Sequence, residues 1–287
     1  MPQKESFMSM KLAACQEMFV GYSWEQQFSF LQKAGYQGVE VSPFTLEKPV
    51  RDYTAGDRQN LKQIAQKHEI EIIGLHWLLV KTEGFYLTHN DPEVQKRTAD
   101  YFCDLAQLCA DLGGKILVLG SPKQRSILPG LTKDDAEKNA RDTLTRILPT
   151  LEKTGTYLCL EPLGRSETDF WNTCQDCVNV INDLGSSHLR LHQDIKAMLD
   201  EPTPIPDLIR KFQKETYHFH VNDKNLLGPG MGDTDFYPIL KALKETGYLD
   251  RGWLSLEVFD YTPGSEHIAN VSRDYLLKEL AKLESQG

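Results

Sequence analysis

Tyr217-His218-Phe219-His220-Val221-Asn222-Asp223 is the stretch on which the fold turns. It is short, it has no solvated face, and its last residues are an amide and a carboxylate. A strand buried on both faces is the mark of a parallel sheet rather than of an antiparallel one with a wet side. Working outward, similar apolar runs occupy Leu12–Phe19, Gly38–Ser42, Glu71–Trp77, Lys115–Gly120, Tyr157–Pro162, Leu189–Asp194 and Trp253–Phe259.

Amphipathic patterns separate these runs. Trp24–Ala34 follows Ser23, a good N-cap. Arg58–His68 carries Leu61, Ile64 and Ala65 on one stripe. Pro92–Leu112 starts behind Asp91 and stops at Gly113-Gly114. Asp134–Thr154 contains Pro149, which should kink it. Thr173–Leu184, Pro206–Phe212, Asp235–Thr246 and a helix within Glu266–Leu283 complete the set. Strands and helices alternate throughout, and right-handed crossovers of this count close into an α/β structure, the (β/α)8 TIM barrel. An open doubly wound sheet would carry a Gly-rich turn after its first strand, where Gln16–Ser23 has only Gly21. The expected organisation is one domain over residues 11–287 behind an N-terminal tail, residues 1–10.

Length and composition agree. A chain of 287 residues is ordinary for one barrel. Its net charge of −9 argues against a nucleic-acid-binding footprint. No apolar run approaches the roughly 18 residues of a membrane span, and Leu12-Ala13-Ala14-Cys15 lacks the apolar stretch a lipoprotein leader needs. Cys174 and Cys177 read as two residues of one helix, and Cys15, Cys103, Cys109 and Cys159 as small core residues. This cysteine usage fits a reducing, cytoplasmic setting. The oligomeric state is open, and a homo-oligomer is allowed.

In such a barrel the carboxyl ends of the strands build the active face. Glu161, Asp194, His220 and Glu257 end four consecutive strands and should converge on one side of the mouth. Three oxygen donors and one nitrogen suit a single divalent ion, Mn²⁺ first, with Mg²⁺, Co²⁺ or Zn²⁺ as alternatives. His76, beside Trp77 at the end of the third strand, is a candidate for substrate contact. Glu40 is a candidate buried partner, and His192 and His218 read as packed, hydrogen-bonded groups. Gly228-Pro229-Gly230-Met231-Gly232-Asp233 reads as a flexible loop on the active face, without the Lys-Ser/Thr of a phosphate-binding loop.

At Gly35-Tyr36-Gln37-Gly38-Val39-Glu40, Leu160-Glu161-Pro162-Leu163-Gly164-Arg165-Ser166-Glu167 and His218-Phe219-His220-Val221-Asn222-Asp223, the chain resembles the xylose-isomerase-like barrels. The likeness is to their sugar isomerase and epimerase branch, of the D-tagatose 3-epimerase type. The resemblance implies the same four metal ligands, Glu161 and Glu257 as the acid/base pair, and Glu167 against the substrate. Two departures stand out. Ala197 occupies a position where the ketose epimerases have histidine, and Leu226 one where they have arginine, which puts a free ketose in doubt. Lys196 could supply a new substrate contact.

The expected function is therefore a divalent-metal-dependent isomerase or epimerase acting on a small sugar or keto-sugar. It would abstract a proton next to a carbonyl and pass through an enediolate. The same site could serve a keto-inositol dehydratase or a lyase on an oxidised glycoside. An apurinic-site endonuclease, which needs more histidines, and a non-catalytic sugar-binding barrel are the weaker readings.

Overall fold

The computed structural model describes residues 10–285. Eight parallel strands close in sequence order: β1 (Lys11–Cys15), β2 (Gly38–Val41), β3 (Glu71–Leu75), β4 (Ile116–Leu119), β5 (Tyr157–Leu160), β6 (Leu189–Asp194), β7 (Thr216–Val221) and β8 (Trp253–Leu256). Closure is made by β1 against β8, with Lys11 opposite Trp253 and Ala14 opposite Leu256. The expected (β/α)8 barrel is what forms. Residues 1–9 of the expected tail lie outside the described residues, whereas Met10 is buried in the core.

The helices are α1 (Trp24–Lys33), α2 (Ala55–Lys67), α3 (Pro92–Leu112), α4 (Lys133–Thr154), α5 (Cys174–Leu184), α6 (Ile195–Met198), α7 (Ile205–Lys211), α8 (Phe236–Glu245), α9 (Tyr248–Arg251) and α10 (Ser265–Ser285). Their starts are written in the sequence. Ser23 with Gln26, Thr54 with Asp57, Thr132 with Asp135 and Thr173 with Asp176 all form capping boxes. The single-turn helices α6 and α9 are additions to the expected set, because four residues are too few to show a helical period. α4 runs through Pro149 as one helix.

Two cores result. The larger lies between the barrel and its helices. The smaller, inside the barrel, gathers Ala13, Ile73, Ile116, Val118 and Cys159, with Tyr157, Tyr217 and Trp253 packed against them near the strand starts. Apolar filling of that end leaves the lumen polar only toward the carboxyl end. Cys174 and Cys177 are buried on α5 as free thiols.

Candidate metal centre and active site

Glu161 follows β5 directly, and its side chain lies across Gly120 at the end of β4. A Cβ at residue 120 would meet Glu161 Oε2 at 2.2 Å. The Glu161 carbonyl accepts from Arg125 Nη1 at 2.6 Å. Asp194 ends β6 and caps α6, taking the Ala197 N–H on Oδ1 (2.9 Å) and the Asn222 side-chain amide on Oδ2 (2.5 Å). His220, on β7, lies with Nδ1 3.1 Å from Glu257 Oε2 and Nε2 3.0 Å from Glu40 Oε1. Glu257 follows β8 and accepts the Trp77 indole N–H on Oε1 at 2.6 Å.

One donor atom each from Glu161, His192, Asp194 and His220 fall within 4.8 Å of one another, all four residues buried. Of the four residues expected at the metal, Glu161, Asp194 and His220 share this group with His192, and Glu257 reaches it only through His220. His192 departs from expectation in one respect: it is buried, but neither ring nitrogen has a hydrogen-bond partner, and Nε2 lies 3.9 Å from Glu161 Oε1. An orphaned buried imidazole beside the carboxylates of Glu161 and Asp194 and a second imidazole, His220, is a donor set that fits a divalent cation.

The electrostatics separate the two glutamates. Burial, then the charges of Glu257 and Asp194, push the Glu161 carboxyl well above the ordinary range. Burial opposes ionisation of Glu257 as well, but His220 and His76 outweigh it and hold its carboxyl well below that range. Asp194 is raised to about 6 by burial and then by Glu257. Burial also resists charge on Glu40, yet His218 and His220 keep it well below the ordinary range. Glu40 is the buried partner expected of it, accepting from His218 Nε2 at 2.6 Å.

His76 is fully buried, with Nε2 2.7 Å from Glu17 Oε2 and Nδ1 3.4 Å from Glu257 Oε1. It stands behind Glu257, while its neighbour Trp77 lines the mouth. Glu167 and Lys196 do reach the mouth. They pair at 2.7 Å, and the Lys196 ammonium rests 4.4 Å from the centre of the Phe259 ring. Together with Trp77, Glu161, Glu257 and Phe259 they line a cavity of about 510 Å³.

Three residues of this site were not legible beforehand. Glu17 was hidden in the run Leu12–Phe19. That run is a strand only to Cys15, and a 3₁₀ turn over Gln16–Phe19 follows it. Cys15 is buried as expected but faces the site, its Sγ 3.8 Å from both His220 Nε2 and Ser255 Oγ. Arg125 lies in a loop after β4, a strand with no charged end. It is fully buried and donates to the carbonyls of Leu119, Glu161 and Trp171. The glycine-bearing loop after β7 is tied down, because Asp223 accepts from the Thr234 hydroxyl at 2.7 Å and the Lys224 N–H at 2.7 Å.

A family profile described as Xylose isomerase-like TIM barrel matches residues 28–280. The chain belongs to that family. This xylose isomerase-like barrel is 29% identical to D-psicose 3-epimerase of Enterocloster bolteae over 169 residues, 58% of this chain and 56% of that one. It is 23% identical to inosose isomerase of Bacillus velezensis over 248 residues, 82% of this chain and 83% of that one. The alignment thus spans little more than half of the first relative and most of the second. Among solved structures, D-psicose 3-epimerase with D-tagatose from Clostridium cellulolyticum H10 superposes with a TM-score of 0.83 at 18% identity, covering 94% of this chain and 99% of that one. At that identity the likeness to the solved barrel is one of fold.

Proposed function

We propose that the chain is a divalent-metal-dependent sugar or keto-sugar isomerase or epimerase that works by proton abstraction next to a carbonyl. The observation that carries this reading is the pair Glu161 and Glu257. Both line one cavity, Glu161 in the donor group with Asp194 and His220, and Glu257 3.1 Å from His220. Two carboxyl groups facing one cavity beside one cation site are the arrangement that can divide acid and base duties.

In this reading Glu161, Asp194, His220 and Glu257 hold the ion, Mn²⁺ by preference. Such an ion, when bound, supplies Lewis-acid stabilisation of the charge that develops on the substrate oxygens. One of Glu161 and Glu257 takes the proton and the other returns one. Trp77 and His76 fix the Glu257 carboxylate from Oε1, so its Oε2 keeps one direction. Asn222 does the same for Asp194. Glu167 and Lys196 orient the substrate, and Trp77 and Phe259 cover its apolar face. His76 acts through Glu257 rather than by touching substrate. We place the enzyme in a reducing cytoplasm; six free thiols agree with that.

The test is proton exchange followed by NMR in D₂O with added Mn²⁺. A panel of ketoses, keto-inositols and 3-keto-glycosides is incubated with the protein. Exchange at the carbon next to the carbonyl, with the epimer or isomer accumulating, is the expected result. Loss of water or of an aglycone would move the assignment to a lyase, and no exchange with any member would overturn it.

A further inference from the structure

The buried floor of the mouth cavity is acidic, but its exposed rim is not. Lys81 and Lys123 line the same cavity as Glu161 and Glu257, and both are exposed. The carboxylates of this cavity already have partners: Glu167 is paired with Lys196, and Glu257 with His220. Glu161 stands beside Asp194 in the group that would hold the ion. Neither rim lysine is answered by a carboxylate among the described residues. The Lys81 ammonium lies 4.2 Å from the centre of the Phe44 ring, which packs against Trp77 with ring centres 5.9 Å apart, so the cation stands beside the mouth rather than over it. In a chain of net charge −9, two lysines outside any ion pair on one rim leave cationic charge that a bound anion could use.

The backbone under these residues is built for the purpose. Six described non-glycine residues have positive φ, and three of them, Trp77 (54°), Lys81 (58°) and Ser121 (47°), line this cavity. Left-handed backbone is costly for residues with a Cβ, and such strain gathers where a ligand is held. Lys81 is itself one of the strained residues. Ser121 starts the short segment that carries Lys123, and Arg125 pins that segment by its bonds to the Glu161 and Trp171 carbonyls. The Ser121 hydroxyl accepts the Leu79 N–H at 3.1 Å, joining the Lys81 loop to the Lys123 loop. The two cations therefore stand on one braced frame rather than on independent surface loops.

We propose that Lys81 and Lys123 recognise an anionic group, a phosphate or carboxylate, carried by the substrate away from its reacting carbonyl. This inference rests on the sugar-isomerase reading and narrows it to anion-bearing keto-sugars. The floor receives the carbonyl and its neighbouring hydroxyls. Trp77, Val80 and Phe259 cover the carbon chain, and the rim receives the charge. A cavity of about 510 Å³ has room for both ends of such a molecule.

The test compares ligands matched in everything but charge. Fructose, fructose 6-phosphate and a 5-keto-hexonate are titrated calorimetrically into the wild-type protein and into the Lys81→Met/Lys123→Met double variant. Wild type should bind at least one anionic probe about tenfold or more tighter than fructose, and the gap should shrink with added salt. The double variant should lose that preference while keeping its affinity for fructose and its circular dichroism. Preference for the phosphate alone or the carboxylate alone identifies which anion is read. Equal affinity for neutral and anionic probes, or a preference that survives in the double variant, overturns the proposal. Deuterium exchange on the same probes separates the two readings. Exchange with neutral ketoses only would refute the rim and leave the enzyme class standing, whereas anion preference without exchange on any probe would do the reverse.

Discussion

Glu161 and Gly120 occupy one space: the carboxylate of the first lies where the side chain of the second would be, 2.2 Å from an ideal Cβ. Gly120 does not adopt a left-handed φ, so alanine is acceptable to the backbone and unacceptable only to the carboxylate. Gly120→Ala should therefore fold normally and turn Glu161 aside. A displacement of about 1 Å at a reacting group costs on the order of 10²-fold in rate. Steady-state kinetics alongside a thermal melt will check this; wild-type kcat/KM in the variant would mean that the Glu161 position is not critical.

Metal affinity should weaken as pH falls through about 6, because Asp194 must lose its proton to act as a ligand and its carboxyl is raised to about 6. The sign for stability follows. A raised carboxyl contributes stability below its unfolded value and loses it as pH rises through the folded one. Metal-free wild type should thus melt below Asp194→Asn above pH about 6, and the gap should close toward pH about 4. Calorimetry across that range, with and without Mn²⁺, measures both. A metal affinity that is flat across pH 6 would count against Asp194 as a ligand.

Glu161→Gln and Glu257→Gln keep shape and one oxygen donor but cannot accept a proton. Each should lower turnover by about 10²–10⁴. Because one carboxyl group takes the proton and the other returns it, one variant should still exchange solvent deuterium into the substrate without net inversion. Full turnover in both would leave these residues as metal ligands alone.

Lys196→Ala should reduce kcat/KM while leaving metal content near stoichiometric, since Lys196 meets Glu167 and Phe259 and touches no proposed ligand side chain. His76→Asn should behave differently. It frees Oε1 of Glu257 on one side, so kcat should fall with KM little changed. Metal analysis by mass spectrometry accompanies both; loss of the ion in Lys196→Ala would reassign that residue.

The barrel was legible because its signals are local. Buried strands read as unbroken apolar runs, and Ser23, Asp91 and Thr173 mark helix starts that the fold uses. The convergence of Glu161, Asp194, His220 and Glu257 followed from closure, since strand ends of consecutive strands must meet. What stayed hidden depends on contacts across the barrel. Nothing near Arg125 in sequence announces that its guanidinium is buried against the carbonyls of residues 119, 161 and 171. Glu17 was misplaced because an apolar run does not reveal where a strand gives way to a turn. His76 carried a correct location and a different neighbour: its side chain turns toward Glu17 and Glu257, a choice set by packing rather than by spacing.

Arg125 has a consequence for how such an enzyme could change its substrate. Its guanidinium fastens the segment from residue 161 to residue 171 at both ends, and the Leu163 N–H bonds the Trp171 carbonyl across the same loop. Glu167 rides in the middle of that closed loop, and Glu161 is its first residue. A lengthened or shortened loop would move both carboxylates together. On the proposed reading, substrate contact and ion binding are therefore tied to one loop on this side of the barrel. Divergence toward new sugars would, on the same reading, begin at Lys81 and Phe259, where a side chain can change without disturbing Glu161 or the Trp77 bond to Glu257.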